Sequence, residues 1–123
     1  MSRTALFEAI EAKLNTISGL LVKLGKLDID EPIKPVAGAA PLSVDHTRTS
    51  KRTQSRVLEF NVQVLSDSLL QMEETVELVK AAMLDDPTWG ALATDTELRS
   101  EEWLFFHPVF PQDGTNLRYA ITY

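Results

Sequence analysis

The sequence predicts an α+β fold, in which a mostly antiparallel sheet of four to five strands carries an N-terminal helix and one long helix packed on one face. Two kinds of apolar spacing indicate this class. Near the N-terminus and again in residues 69–83, apolar residues recur every three or four positions, as along one side of a helix. In residues 57–64 and 117–123 they alternate with other residues, as in strands that bury one face.

The first predicted element is a helix that begins near Ser2 or Thr4 and ends between residues 17 and 25. Its apolar positions follow spacings of four, four, three and four, which places them on one face: Leu6, Ile10, Leu14, Ile17 and Leu21. Gly25 is a candidate for the residue just past the helix end, because glycine readily adopts the left-handed conformation. Three prolines in residues 26–41 exclude a continuing helix, so we predict a loop with a short extended piece there.

A polar, basic stretch follows residues 42–48, which alternate weakly and predict a strand. Four of the twelve basic residues of the chain fall within nine positions of this stretch: Arg48, Lys51, Arg52 and Arg56. No acidic residue lies between Asp45 and Glu59. We interpret the stretch as an exposed loop or hairpin tip, which is either only solvated or a contact surface for an acidic partner or a neighbouring copy. Residues 26–56 thus form a predicted flexible arm within one domain, 1–123.

The clearest predicted strand is 57–64, and a long helix follows it. Apolar residues occupy every second position of this strand, and Glu59, Asn61 and Gln63 share its other face, which we expect to meet solvent or an interface. Residues 66–68 offer an N-cap for the helix, and Pro87 opposes its continuation. The apolar stripe predicted to face the core comprises Leu69, Met72, Val76, Val79 and Met83.

Three further strands are predicted after Pro87. The first ends near Arg99, where residues 100–102 (SEE) read as a polar break. The second covers 103–110, and Pro108 within it favours an edge strand or a bulge. An Asp113-Gly114 turn signal then leads to the closing strand, so the last two strands predict an antiparallel hairpin. Leu117, Tyr119, Ile121 and Tyr123 share one face of that closing strand.

The residue types and sequence motifs of the chain do not indicate an enzyme. The chain has no cysteine, and His46 and His107 lie far apart without the spacing of a metal site. No serine stands in a GxSxG elbow, and no phosphate-binding glycine loop is present in the sequence. We therefore expect no catalytic residue, no cofactor and no metal.

Charge and hydropathy also exclude some partners. The net charge of −6 opposes binding to nucleic acid by bulk attraction, and no aromatic residue interleaves the basic stretch to stack on bases. No apolar run of the sequence is long enough to span a bilayer, and the first residues lack the apolar core of a signal peptide. We expect a soluble protein that stays in the compartment where it is made.

Three segments together resemble a known family. A strand at residues 60–64 (FNVQV) precedes a long acidic helix that ends at residues 85–90 (DDPTWG), and residues 117–123 (LRYAITY) form a closing strand. This order is similar to that of the tail terminator proteins of long-tailed bacteriophages, also called tail completion or minor tail protein U-like proteins. The resemblance covers most of the chain. Trp89 stands where those proteins usually have leucine in the turn after the helix.

The resemblance implies a structural virion protein. Such proteins form a hexameric ring on the head-proximal end of the tail tube, where the ring ends tube polymerisation and offers a surface for head joining. The implied partners are further copies, the tail tube protein and the head–tail connector protein. No membrane and no sequence-specific nucleic acid is implied, although the genome would pass through the ring. The implied location is the virion tail, after assembly in the host cytoplasm.

Within that expectation, two groups of residues are candidates for contacts. The basic stretch is predicted to touch a neighbouring subunit, the tube or the connector, and Glu59, Asn61 and Gln63 are predicted to face the channel or a neighbour. Two other roles fit the sequence as well. One is a head–tail connector or neck protein of the same particle, and the other is a small monomeric binding module, such as a host-directed inhibitor.

Overall fold

The computed structural model describes residues 3–25, 27, 35–48, 54–66, 68–90, 92–105 and 113–123. These residues form one sheet of five strands in the order β1-β2-β3-β5-β4, with neighbours antiparallel except for the parallel pair β1 and β2. The predicted α+β class is confirmed. The elements in chain order are α1 (Arg3–Leu14), β1 (Leu21–Leu24), β2 (Val36–Arg48), β3 (Gln54–Ser66), α2 (Leu69–Asp85), β4 (Asp95–Phe105) and β5 (Asp113–Thr122).

Both helices pack on the same face of the sheet and close the main core against it. The sheet supplies alternate side chains of β3 and β5, which confirms the period-two prediction: Leu58, Phe60, Val62, Val64, Leu117, Tyr119 and Ile121. The helices supply Leu6, Ile10, Leu14, Met72, Val76, Val79 and Met83. The ion pair Lys13 Nζ–Asp85 Oδ2, at 2.9 Å, joins the two helices at their C-terminal ends.

Helix α1 ends earlier than the sequence predicted, at Leu14. Thr16 helps to end it, because the Thr16 hydroxyl donates to the carbonyl of Lys13 at 2.6 Å and the following turn tightens. Gly19 then adopts a φ of 78°, which reverses the chain direction. Leu21 was predicted on the helix but begins β1, a short strand that the sequence did not predict. Gly25 also has a positive φ, but it does not cap the helix.

Strands β2 and β3 form a long antiparallel hairpin that exceeds the predicted spans 42–48 and 57–64. Strand β1 pairs only with residues 36–39 of β2. The hairpin pairs Thr47↔Ser55 and Arg48↔Gln54 lie beyond Arg56, whose backbone exchanges hydrogen bonds with that of Tyr123. These two pairs have no partner on β5 among the described residues. We call residues 46–56 the basic arm; residues 49–53 within it lie outside the described residues.

Helix α2 begins and ends where the sequence predicted. Ser68 is its N-cap, with a φ of −128°, and its side chain accepts a hydrogen bond from the backbone N–H of Gln71. The helix ends at Asp85, before Pro87. One position of the predicted core stripe was wrong: Leu69 is half-exposed, and Thr75 is buried instead.

The strand after α2 corrects the prediction of two strands in this region. Strand β4 continues through residues 100–102. Its register with β5 shifts between Leu98 and Ser100, and this bulge accommodates the polar stretch. Asp113 and Gly114, predicted as a turn, begin β5 opposite Phe105 and Leu104. The predicted antiparallel pairing of the last two strands is confirmed. Pro108 lies outside the described residues.

Candidate interaction surface

The sheet face opposite the helices holds three of the predicted contact residues together. In β3, Glu59, Asn61 and Gln63 alternate with the buried core residues and are half-buried. The register sets Asn61 beside Arg118 and Gln63 beside Asn116 on β5. We call this surface the open face, because no helix covers it within the described part of the chain.

An ion pair between Glu59 and Arg118 organises the centre of the open face. These residues sit diagonally on adjacent strands, within reach of each other's side chains. The Glu59 side chain is only 16% exposed, and the Arg118 guanidinium donates a hydrogen bond to its carboxylate. This hydrogen bond lowers the pKa of Glu59 below its ordinary value of 4.5, against a smaller opposing effect of burial.

The lowered pKa of Glu59 predicts an acid-dependent loss of stability. A carboxyl with a depressed pKa in the folded state stabilises the fold above its unfolded pKa, and this contribution disappears as the pH falls. We therefore expect Glu59→Gln to reduce the free energy of unfolding at pH 7 and to matter much less at pH 3. Urea unfolding at both values measures this. Glu102→Gln, at an exposed position of β4, is the control; the same pH dependence in both variants would contradict the prediction.

One end of the open face is covered by a small apolar cluster. Leu27 packs there with Val36 and Leu65, apart from the main core. Leu27 lies so close to Gly38 that a Cβ on residue 38 would stand 2.7 Å from Leu27 Cγ and 2.8 Å from the carbonyl oxygen of Gly25. A side chain at residue 38 would therefore displace Gly25 and Leu27 from the sheet.

Beside this cluster, the open face forms a groove of about 410 Å³ with three amide side chains among apolar neighbours, lined by Gly38, Leu42, Asn61, Gln63 and Asn116 among others. The Oδ1 atom of Asn116 is buried without a hydrogen-bond partner in the described part of the chain. Side-chain amides offer donors and acceptors for another polar surface, but they do not act as nucleophiles or bases. The groove therefore offers hydrogen-bond donors and acceptors to a partner.

Of the predicted basic residues, Arg56 does not join this surface. Arg56 shares the helix-side face with Leu58, and its guanidinium carbon lies 5.8 Å from the centroid of the Tyr123 ring, a cation–π distance. Arg48 is placed only as the last strand position of β2, and Lys51 and Arg52 lie outside the described residues. Arg56 is thus separate from the open face.

The sequence analysis did not predict a third candidate contact surface, the side of α2 that faces away from the sheet. Leu70, Leu78 and Leu84 are 71%, 54% and 43% exposed there. We call this side the outer face of α2; its other members include Glu73, Glu74, Glu77 and Ala81. The helical period could have revealed these leucines, because they fall opposite the buried stripe that begins with Met72.

The turn after α2 is held by Asp86 and Trp89. The Asp86 carboxylate accepts hydrogen bonds from the hydroxyl and N–H of Thr88 and from the N–H of Gly90, and these bonds lower the pKa of Asp86. Trp89 is buried despite a φ of 53°, and its indole Nε1 donates to Thr96 Oγ1 at 2.7 Å. Trp89 is the residue that stands where the resembled family usually has leucine. In this turn it is a packing residue, and the turn fixes the start of β4.

No protein-family model matches the sequence, and no curated protein does. A solved chain from the virion of a native gene transfer agent particle aligns over 97% of this chain and 91% of its own length, at 10% identity and a TM-score of 0.61. A virion chain therefore has this fold. A second solved chain aligns over 100% of this chain at 16% identity and a TM-score of 0.49. No helix among the described residues is long and apolar enough to cross a bilayer.

Proposed function

We propose that this chain is a structural virion protein that forms a hexameric ring on the head-proximal end of a phage tail tube. The ring ends tube polymerisation and presents the surface to which the head is joined. The observation that carries the proposal is the likeness in fold to a virion chain over 97% of the residues. The order of strand, acidic helix, DDPTWG turn and closing strand adds to it. The proposed location is the virion tail after assembly in the host cytoplasm, and no enzymatic activity is proposed.

The charge distribution supports a ring. In a closed ring, one patch of each subunit meets a different patch of the next. Four of the twelve basic residues belong to the basic arm, and all eighteen acidic residues of the chain lie outside residues 46–56. Such an acidic body with one basic projection provides two unlike patches that attract each other.

The two predicted contact groups take different roles in this ring. Arg48, Lys51, Arg52 and Arg56 of the basic arm contact a neighbouring subunit, the tail tube protein or the head–tail connector protein. The open face, with Glu59, Asn61 and Gln63, lines the channel or meets a neighbour. Its half-buried polar side chains suit a wet interface, because they hydrogen-bond across it without the cost of burying an isolated charge.

Native mass spectrometry over a wide concentration range tests the proposal, together with electron microscopy of tail tube protein polymerising with and without this chain. We expect a hexamer, either free or at tube ends, and tubes that stop growing when the chain is present. Unchanged tube growth with a monomer at every concentration would overturn the proposal. Binding to the connector alone, with no effect on tubes, would overturn it in favour of a neck protein.

Neutralising the net charge of the arm is expected to weaken assembly while the monomer stays folded. Arg52→Glu with Arg56→Glu lowers the net charge of the arm from +4 to 0 and so removes its attraction to the acidic body. Circular dichroism checks the fold, and the hexamer fraction in native mass spectra measures assembly. Lys23→Glu with Arg99→Glu makes the same charge change at exposed positions outside the arm. Equal hexamer fractions for the two double variants would remove the arm from the interface.

A further inference from the structure

We propose that the outer face of α2 is the surface that receives the basic arm of the neighbouring copy. The proposal rests on the ring described above and names the acidic side of its repeating contact. Neither the sequence analysis nor the likeness in fold gives this surface a role. Three features support this contact: the exposed leucines of α2, the carboxylates around them and the composition of the arm.

The outer face of α2 is more apolar than a solvated helix face requires. A helix that packs on a sheet normally turns polar residues to water. Here Leu70 is 71% exposed and Leu78 is 54% exposed, two helical turns further along. Ala81 and Leu84 continue the same side. Exposed apolar residues that follow one another along a surface mark a contact site.

Carboxylates surround these leucines and are only partly neutralised. No ion pair to Glu73 or Glu74 is formed within the described residues. Glu77 lies 3.4 Å from Lys80, but the same ammonium also pairs with Glu101 on β4. The outer face therefore combines apolar side chains with a net negative charge.

Arginine and lysine are the side chains that match such a face. Their aliphatic stems cover apolar surface while their charged ends reach carboxylates at its edge. The arm carries Arg48, Lys51, Arg52 and Arg56, and no acidic residue lies within residues 46–56. Among the described residues, its strand pairs Thr47↔Ser55 and Arg48↔Gln54 have no partner on β5.

Pairing of two α2 faces with each other is disfavoured. That symmetric contact would set Glu73, Glu74 and Glu77 of one copy against the same residues of the other, and like charges at an interface repel. A contact between arm and helix joins opposite charges instead. It also joins two different patches, which is the kind of contact that a closed ring repeats.

A charge exchange between the two surfaces tests the proposal. We expect Glu73→Lys with Glu74→Lys to lower the hexamer fraction in native mass spectra about tenfold, and we expect the same of Arg52→Glu with Arg56→Glu. The quadruple variant restores opposite charges at positions 52, 56, 73 and 74 with the signs exchanged, so its hexamer fraction should rise above those of both double variants. Glu97→Lys with Glu102→Lys, on β4, is the matched control and should leave the hexamer fraction unchanged.

Cross-linking provides a second measurement that does not depend on charge. The chain has no cysteine, so Arg52→Cys combined with Glu74→Cys introduces the only two thiols. Under oxidation we expect disulfides between copies and a ladder of bands up to the hexamer in denaturing gels. Arg52→Cys combined with Glu102→Cys should stay monomeric in the same gels.

The outcomes separate this proposal from the ring itself. If the original protein forms no hexamer, alone or on tubes, the proposed function fails and this inference fails with it. If the hexamer forms but the Glu73 and Glu74 reversal leaves it intact, the ring stands and the arm contacts another surface. A quadruple variant that stays dissociated and a cysteine pair that does not cross-link would also overturn the inference.

Discussion

Replacement of Phe60 by alanine is expected to remove a large part of the stability of the protein. Phe60 is fully buried in the middle of β3, and its ring stacks on Tyr119 with centroids 5.4 Å apart. Truncation of a buried phenylalanine costs about 3–5 kcal/mol, because apolar contacts are lost and a cavity remains. The free energy of unfolding of a typical domain is only about 5–15 kcal/mol.

Urea unfolding followed by circular dichroism measures the Phe60 effect. Phe60→Leu keeps most of the side-chain volume and should lose less than half as much free energy of unfolding as Phe60→Ala. Leu70→Ala is a control outside the core, because Leu70 is exposed on the monomer, and we expect a change within about 0.5 kcal/mol. Similar losses in Phe60→Ala and Leu70→Ala would show that β3 does not carry the core.

Replacement of Trp89 by alanine is expected to have an effect of similar size. The indole ring is buried between α1 and the start of β4, so its removal costs about 3–5 kcal/mol. The same change removes the donor to Thr96, whose hydroxyl in turn donates to the carbonyl of Pro87 at 2.8 Å. The turn between α2 and β4 would then lose both its packing and its buried hydrogen bonds.

Trp89→Phe separates these two contributions. Phenylalanine keeps much of the buried ring but has no N–H, so we expect a loss of about 1–3 kcal/mol in the free energy of unfolding. Thr96→Val should cost a similar amount, because it removes the acceptor and leaves the indole N–H without its partner. If Trp89→Phe is as destabilising as Trp89→Ala, the hydrogen bond rather than the ring dominates at this turn.

The parts of the fold that the sequence predicted correctly depend on local patterns. Alternation in residues 57–64 and 117–123 identified the buried faces of β3 and β5 without any knowledge of their neighbours. The same period grouped Glu59, Asn61 and Gln63 on one face. Ser68 and Pro87 gave the ends of α2, because capping and the missing N–H of proline act within a few residues.

The parts that the sequence missed depend on distant partners. Strand β1 exists because residues 36–39 pair with it, and its four residues alone read as the end of a helix. The bulge near Arg99 hid the continuity of β4, because it interrupts the alternation. Alternation in the closing strand puts Arg118 on the face away from the core, but only the register between β3 and β5 brings Arg118 and Asn116 to Asn61 and Gln63.

The position of β5 has a consequence for the order in which the molecule is made. Strand β5 lies between β3 and β4, although it follows both in the chain. On the ribosome, β4 emerges before the strand that separates it from β3, so it has no backbone partner until β5 has been synthesised. Contacts between segments so distant in sequence raise the contact order and slow folding. The nascent chain therefore cannot complete its sheet, or present a finished subunit for assembly, before translation has passed residue 122.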